Sequence, residues 1–201
     1  NLIFDKISLK ENNNIISIKN LIVSSNNKID DIGKIRINYI DKDNFKNDLQ
    51  VTKKNKVHLI SGDSFNVDKI IEKLLNSKND DNSNLFNKNL KFIIDIKKIN
   101  LDKNNSLNNL KGFFSFNKNT ISELNLESKL SSQKNKKLTI NNNGEEKITT
   151  LFSDEAKPLV ERYKFIKGFE EGNLDFYSIK KNSTTNSVLK IDNFKIQEIP
   201  V

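Results

Sequence analysis

Cysteine is absent from the 201 residues, and glycine, proline and histidine number only 6, 2 and 1. Without cysteine there is no disulfide framework, no thiol nucleophile and no Cys-ligated metal, which suits cytosol and periplasm equally. The few glycines leave no phosphate-cradling loop and make a dinucleotide-binding turn improbable. One histidine supplies neither a catalytic triad nor a two-histidine metal set. Tryptophan is missing as well, no apolar run nears the length of a membrane span, and no signal peptide is visible.

What abounds is Ile, Lys, Asn and Phe, the bias an AT-rich genome imposes whatever the function. The net charge of +8 and pI of 9.4 invite a nucleic-acid or anionic-membrane reading. Lysine is interspersed with Asp and Glu, however, as on a solvated face, and no nucleic-acid motif accompanies it, so nucleic acid is not an expected partner. Hydrophobic residues make up 35% and charged residues 30%, a poor ratio for a thick core. The apolar residues alternate instead, which predicts a sheet that is greasy on one face only.

Along the chain, Leu2 to Leu9 carries apolar residues on both parities, with a switch at Asp5 and Lys6 that signals a bulge. Ile15 to Val23 is broken near Lys19 and Asn20, and residues 24–33 read as a polar connection. Ile35, Ile37 and Tyr39 then alternate against Arg36 and Asn38, and short strands are expected over 49–53 and 56–61. The period changes over 63–76, where Val67, Ile70, Ile71, Leu74 and Leu75 fall at helical spacing behind a capping Asn66. This predicts a helix over 66–77, followed by a polar loop to 89.

Later strands are longer. Leu90, Phe92, Ile94 and Ile96 share a face, which Ile93 and Ile99 break. Residues 110–117 carry Gly112 and three phenylalanines. Leu124, Leu126 and Leu130 alternate against Asn125, Glu127 and Lys129, and Leu138 and Ile140 continue the pattern. Asn142 to Gly144 is a hairpin turn, because Asn-Gly tolerates positive φ. The sum is about ten strands and two short helices in one mainly β unit, an elongated, twisted antiparallel sheet forming a groove or incomplete sandwich.

Residues able to do chemistry are scattered. His58, flanked by Val57 and Leu59, reads as a core histidine. The pairs Asp30 and Asp31, Asp80 and Asp81, Glu145 and Glu146, and Glu170 and Glu171 lack the spacing of an EF-hand, and neighbours in a strand point to opposite faces. Gly62 to Ser64 lacks the flanks of a nucleophile elbow. No enzyme signature is present, and no cofactor or metal site is expected.

Leu151 to Val201 organises the chain. Ser153 or Asp154 suits the cap of a short helix over 154–166. Ala156, Leu159, Val160 and Tyr163 form its apolar stripe, and Arg162, Lys164 and Lys167 complement its negative end. Pro158 fits the first turn, and Gly168 ends the helix. Two long strands follow.

This order of strand, S-D-x-A, helix, glycine turn and a last strand near a proline resembles the C-terminal region of the bacterial AsmA-like proteins, of the YhdP type. The match rests on Ser153, Asp154, Ala156, Gly172, Leu174, Asp192, Phe194 and Pro200, which are architectural, and covers about a quarter of the chain. Glu171 stands where the first glycine of a Gly-Gly pair is expected. The resemblance implies a groove-shaped protein that carries phospholipid between the inner and outer membranes. It further implies a periplasmic setting, an inner-membrane anchor outside this segment, adjoining segments of the same long chain that continue the sheet, and the two membranes as partners at its ends. The pattern at Asn1 and Val201 also reads as an excised piece of a longer protein.

On that implication, Leu124, Leu126, Leu130, Leu138, Ile140, Leu174, Phe176, Leu189 and Ile191 line the groove and meet acyl chains. The alternative is a scaffold or interaction module of the envelope whose apolar face is a closed core. Strand parity near Ile93 and Asn193 decides which residues line the face, since a one-residue slip inverts it.

Overall fold

Alternating Ile, Leu, Val and Phe against Lys, Asn and Asp builds strands, and asparagine-rich turns reverse them. The computed structural model describes residues 1–69, 89–117, 120–163 and 168–197. They contain β1 (Leu2–Glu11), β2 (Asn14–Val23), β3 (Ile29–Ile40), β4 (Lys46–Lys54), β5 (Val57–Asn66) and β6 (Leu90–Asn100). β7 (Ser106–Asn117), β8 (Thr120–Leu130), β9 (Asn135–Asn142) and β10 (Glu146–Ser153) follow, then α1 (Lys157–Tyr163), β11 (Phe169–Lys181) and β12 (Thr184–Ile196). All twelve strands form one twisted sheet in chain order, open at β1 and β12.

The mainly β architecture agrees with the alternation, and four details differ. First, twelve strands are described rather than about ten. Second, β5 and β6 are parallel, pairing Val57 with Lys91 through Asn66 with Asn100, whereas every other neighbouring pair is antiparallel. Third, Ile29 to Gly33 belong to β3 rather than to a polar connection.

The fourth concerns the helices. Residues 63–66 end β5, and Asn66 then acts as a cap, its Oδ1 accepting the Asp68 N–H at 3.1 Å. The rest of the helix expected over 66–77 lies beyond Lys69, outside the described residues. α1 starts later than expected and is capped by neither candidate. Ser153 is still in the ladder, opposite Leu174 and Lys136, and its hydroxyl donates to the Glu155 carbonyl at 2.7 Å. Asp154 instead accepts from the Asn135 backbone and side-chain N–H groups, each at 3.0 Å. The Ala156 carbonyl opens α1, accepting from Leu159 and Val160 at 3.0 and 3.1 Å. Pro158 sits in the first turn, where its missing N–H costs nothing.

Asparagine does much of what glycine does elsewhere. Asn12, Asn27, Asn44, Asn55 and Asn182 all take φ between 50° and 64° in or beside turns, a region asparagine tolerates well. At the β9–β10 turn Gly144 has φ 96°, and the Asn143 Oδ1 accepts from the N–H groups of Glu145 and Glu146 at 3.0 and 2.9 Å.

Apolar packing concentrates in two places. Leu49, Ile94, Ile96, Ile99, Leu107 and Leu130 form the larger cluster, with Phe65, Val67 and Leu101 against it. Ala156 and Val160 of α1 close over Phe169 and Leu174, with Leu151, Phe176 and Ile191 around them. α1 therefore lies on the apolar face at its β10–β11 end.

Candidate functional site

Cross-strand register aligns side chains into rows, and one row crosses the whole sheet. It runs Ile7, Ile18, Ile35, Val51, Ile60, Ile94, Gly112, Leu126, Leu138, Leu151, Phe176 and Leu189. Every member is apolar. Gly112 is bare because it must be: a Cβ there would lie 1.9 Å from the Asn125 carbonyl oxygen. Only Ile94 in this row is buried, while Ile7 and Leu189 at the two edges are 43% and 46% exposed. The row is the floor of a groove that α1 covers at one end.

On the opposite face the neighbouring row is polar except at Phe152, while Leu59, Ile93, Phe113, Tyr177 and Val188 stand in the row beyond it. One residue along from the apolar row lie Ser8, Ser17, Arg36, Gln50, Ser61, Asp95, Lys111, Glu127, Lys137, Phe152, Asp175 and Lys190. Charges alternate along it, with Lys111 at 3.6 Å from Asp95 and Lys137 at 2.7 Å from Glu127. Exposed pairs of this kind add little stability but keep the face wet.

The nine expected lining residues share the groove face, and they divide by exposure. Leu126, Leu138, Ile140, Phe176 and Ile191 are half-buried and Leu189 is exposed, so these six keep some accessible surface, although Leu126 also packs on the larger cluster and Phe176 and Ile191 on the α1 cluster. Leu124, Leu130 and Leu174 are buried, Leu130 in the larger cluster and Leu174 beneath α1. Alternation alone could not separate the two groups, because burial depends on what crosses above. The β1 to β6 half of the row, Ile7 through Ile94, is absent from the expected lining. Its signal was the alternation of Ile35 and Ile37, continued across β4 and β5 by pairing no single strand reveals.

His58 is buried on the groove face, its ring 5.1 Å from that of Phe92. Its Nδ1 has no hydrogen-bond partner, and it borders a cavity of about 90 Å³ with Ile32, Ile35, Val51, Leu90 and Phe92. Asp31 also lines that cavity and bonds Lys53. Burial pushes the Asp31 pKa up, but the hydrogen bond and charge of Lys53 outweigh it and hold the carboxyl below 3.8.

The other carboxylate pairs do not converge. Glu170 pairs with Lys157 and Glu171 with Lys195, at 2.7 and 2.6 Å. Glu145 and Glu146 frame the β9–β10 turn, and Asp80 and Asp81 lie outside the described residues. Ser64 donates to the Lys46 carbonyl at 2.6 Å, tying the end of β5 to the start of β4. Among the described residues no three His, Asp or Glu side chains are grouped to hold a metal, and no helix is long and apolar enough to cross a membrane.

The residues that carry the AsmA-like resemblance sit around α1. Ser153 and Ala156 are fully buried, and the Ala156 N–H donates to the Gly172 carbonyl at 2.7 Å. Leu174 packs under Val160, Phe194 stacks on Phe169 at 5.4 Å, and Asp192 bonds Lys190 at 2.8 Å. Pro200 lies outside the described residues. Fold and site together define an open, one-faced β-sheet with an apolar groove. Comparison with known proteins returns no matching family model, no matching curated protein and no matching solved structure.

Proposed function

We propose that this chain is a lipid-carrying segment of an AsmA-like envelope protein of the YhdP type, giving phospholipid an apolar path between inner and outer membranes. The observation that carries the reading is the row from Ile7 to Leu189, apolar on every strand and buried only at Ile94. A monomer rarely leaves so long an apolar strip only half-buried without use. Acyl chains slide along it passively while head groups stay in water, and no residue does chemistry. Each methylene taken up contributes up to about 0.8 kcal/mol, which offsets part of the cost of lifting a lipid from a bilayer.

The setting that accompanies this reading is the periplasm, within a longer inner-membrane-anchored protein. Among the described residues the edges of β1 and β12 have no partner strand, which suits continuation of the sheet by adjoining segments of that chain, since the apolar row reaches both. Native mass spectrometry of the purified chain, with extraction of bound lipid, tests the reading. Phospholipid adducts support it. A clean apo mass from a cooperatively folded protein points instead to a closed scaffold.

A further inference from the structure

The groove face changes character toward the β9–β10 and β11–β12 turns. Leu151 and Phe176 are opposite each other in the apolar row. Two residues on, Thr149, Ser178 and Ser187 stand side by side, the two serine hydroxyls 2.8 Å apart. Two residues further, Lys147 and Lys180 are direct cross-strand partners on the same face. Rows two residues apart are separated by about 7 Å, so within about 14 Å the face passes from apolar through hydroxyl to doubly cationic. That sequence of chemistries is the sequence along a phospholipid, from acyl chain through ester to phosphate.

Two like charges directly opposite in a sheet repel each other. Neither lysine has a carboxylate within ion-pair distance among the described residues. Glu146, the nearest acidic residue in β10, stands opposite Lys181 on the other face, and Glu145 is held in the turn. Both lysines line a recess of about 390 Å³, with Thr120, Asn142 and Asn182 on its walls and Glu145 and Glu146 at its turn side. We infer that Lys147 and Lys180 are the head-group station of the groove, binding the phosphate of a phospholipid whose acyl chains lie along the row through Leu151 and Phe176. This rests on the groove reading above and adds to it the ligand's orientation.

The test loads the 201-residue chain from neutral phosphatidylcholine vesicles carrying either an acyl-labelled phosphatidylglycerol or the diacylglycerol with the same chains. The wild-type protein takes up the phosphatidylglycerol with a preference of about tenfold, a preference that salt weakens. The Lys147→Gln/Lys180→Gln protein loses that preference and still takes up diacylglycerol. Lys6→Gln/Lys19→Gln, which removes two charges from the other face, keeps it. A preference that survives at Lys147 and Lys180, or that falls equally in both double variants, overturns the head-group station and leaves the groove standing. Equal uptake of both lipids by the wild type does the same. Uptake of neither by the wild type overturns the groove and the station together.

Discussion

Glu171 and Gly172 are consecutive residues of β11, and both occupy the left-handed region, at φ 61° and 80°. Across from them Asn193 of β12 does the same, at φ 56°. The bulge lets Ile191 pack in the α1 cluster while Phe194, three residues on, stacks on Phe169 of the same cluster. It is also where this chain has Glu171 in place of the glycine that the AsmA-like pattern expects. A left-handed non-glycine residue costs about 1–2 kcal/mol. Glu171→Gly therefore raises stability by up to about 1 kcal/mol, after the loss of an exposed ion pair to Lys195, and Gly172→Ala lowers it by about 1–2 kcal/mol. A Cβ added at Gly172 also meets the Phe194 Cβ at 3.0 Å. Urea denaturation of the two variants measures both signs.

Gly112→Ala is more severe. The position combines φ 143° with a Cβ 1.9 Å from the Asn125 carbonyl oxygen, a backbone atom that yields only if β7 and β8 part. A loss of about 3 kcal/mol or more is expected, in the range of overpacking and backbone strain combined. A denaturation midpoint unchanged from wild type contradicts the register at this row.

Asp41 ties the β3–β4 turn to the end of β5. Its Oδ1 accepts from the Asp43 and Phe45 N–H groups at 3.0 and 2.9 Å, and its Oδ2 from Asn66 Nδ2 at 2.8 Å. Fully buried Asn47 completes the network, donating to Asp41 Oδ2 and accepting the Asn66 N–H at 2.8 Å. Asn47→Ala leaves these groups unpaired and costs about 2–4 kcal/mol.

The same carboxylate sets a pH dependence. Burial pushes the Asp41 pKa up, but the bonds from Asn66, Phe45, Asn47 and Asp43 outweigh it and hold the group below 3.8. A carboxylate depressed on folding adds stability that is complete above its unfolded value and is lost as pH falls through its folded value. Stability falls below about pH 4 in the wild type, and Asp41→Asn, less stable at neutral pH, shows a shallower acid limb.

Much of this was legible in the sequence, because a sheet wet on one face must alternate. The broken alternation at Asn20 and Asn193 also had a physical cause, since both residues are left-handed bulges. At Asn20 the partner strand supplies Gly33, whose added Cβ would lie 2.9 Å from the Asn20 Cβ. Ile93 marks no switch, only an outward residue beside Leu59 and Phe113, whereas Ile99 follows a true one, after Lys97 and Lys98 and near left-handed Asn109. Three things were hidden. The parallel pairing of β5 and β6 depends on a connection no local pattern encodes. Ser153 and Asp154 look like caps but are spent on the ladder and on Asn135. The lysine pair at 147 and 180 exists only once β10 and β11 are set in register.

A charge placed in the open part of the groove tests its use. Leu126→Asp and Phe176→Asp sit at half-buried positions, so each folds with a loss of about 1–3 kcal/mol while its carboxylate repels acyl chains. Both are expected to abolish lipid copurification. Glu127→Lys, on the wet face beside Leu126, leaves it unchanged. Retention of lipid by folded Phe176→Asp argues that the apolar row is core alone.

The most direct measurement is site-specific photocrosslinking of lipid, with a photoreactive side chain placed in turn at Ile35, Leu126 and Phe176 of the apolar row and at Gln50, Glu127 and Asp175 of the polar row. The account predicts lipid adducts at the first three and none at the last three, on strands as far apart as β3 and β11. Adducts on neither face, or equally on both, contradict a groove that carries lipid.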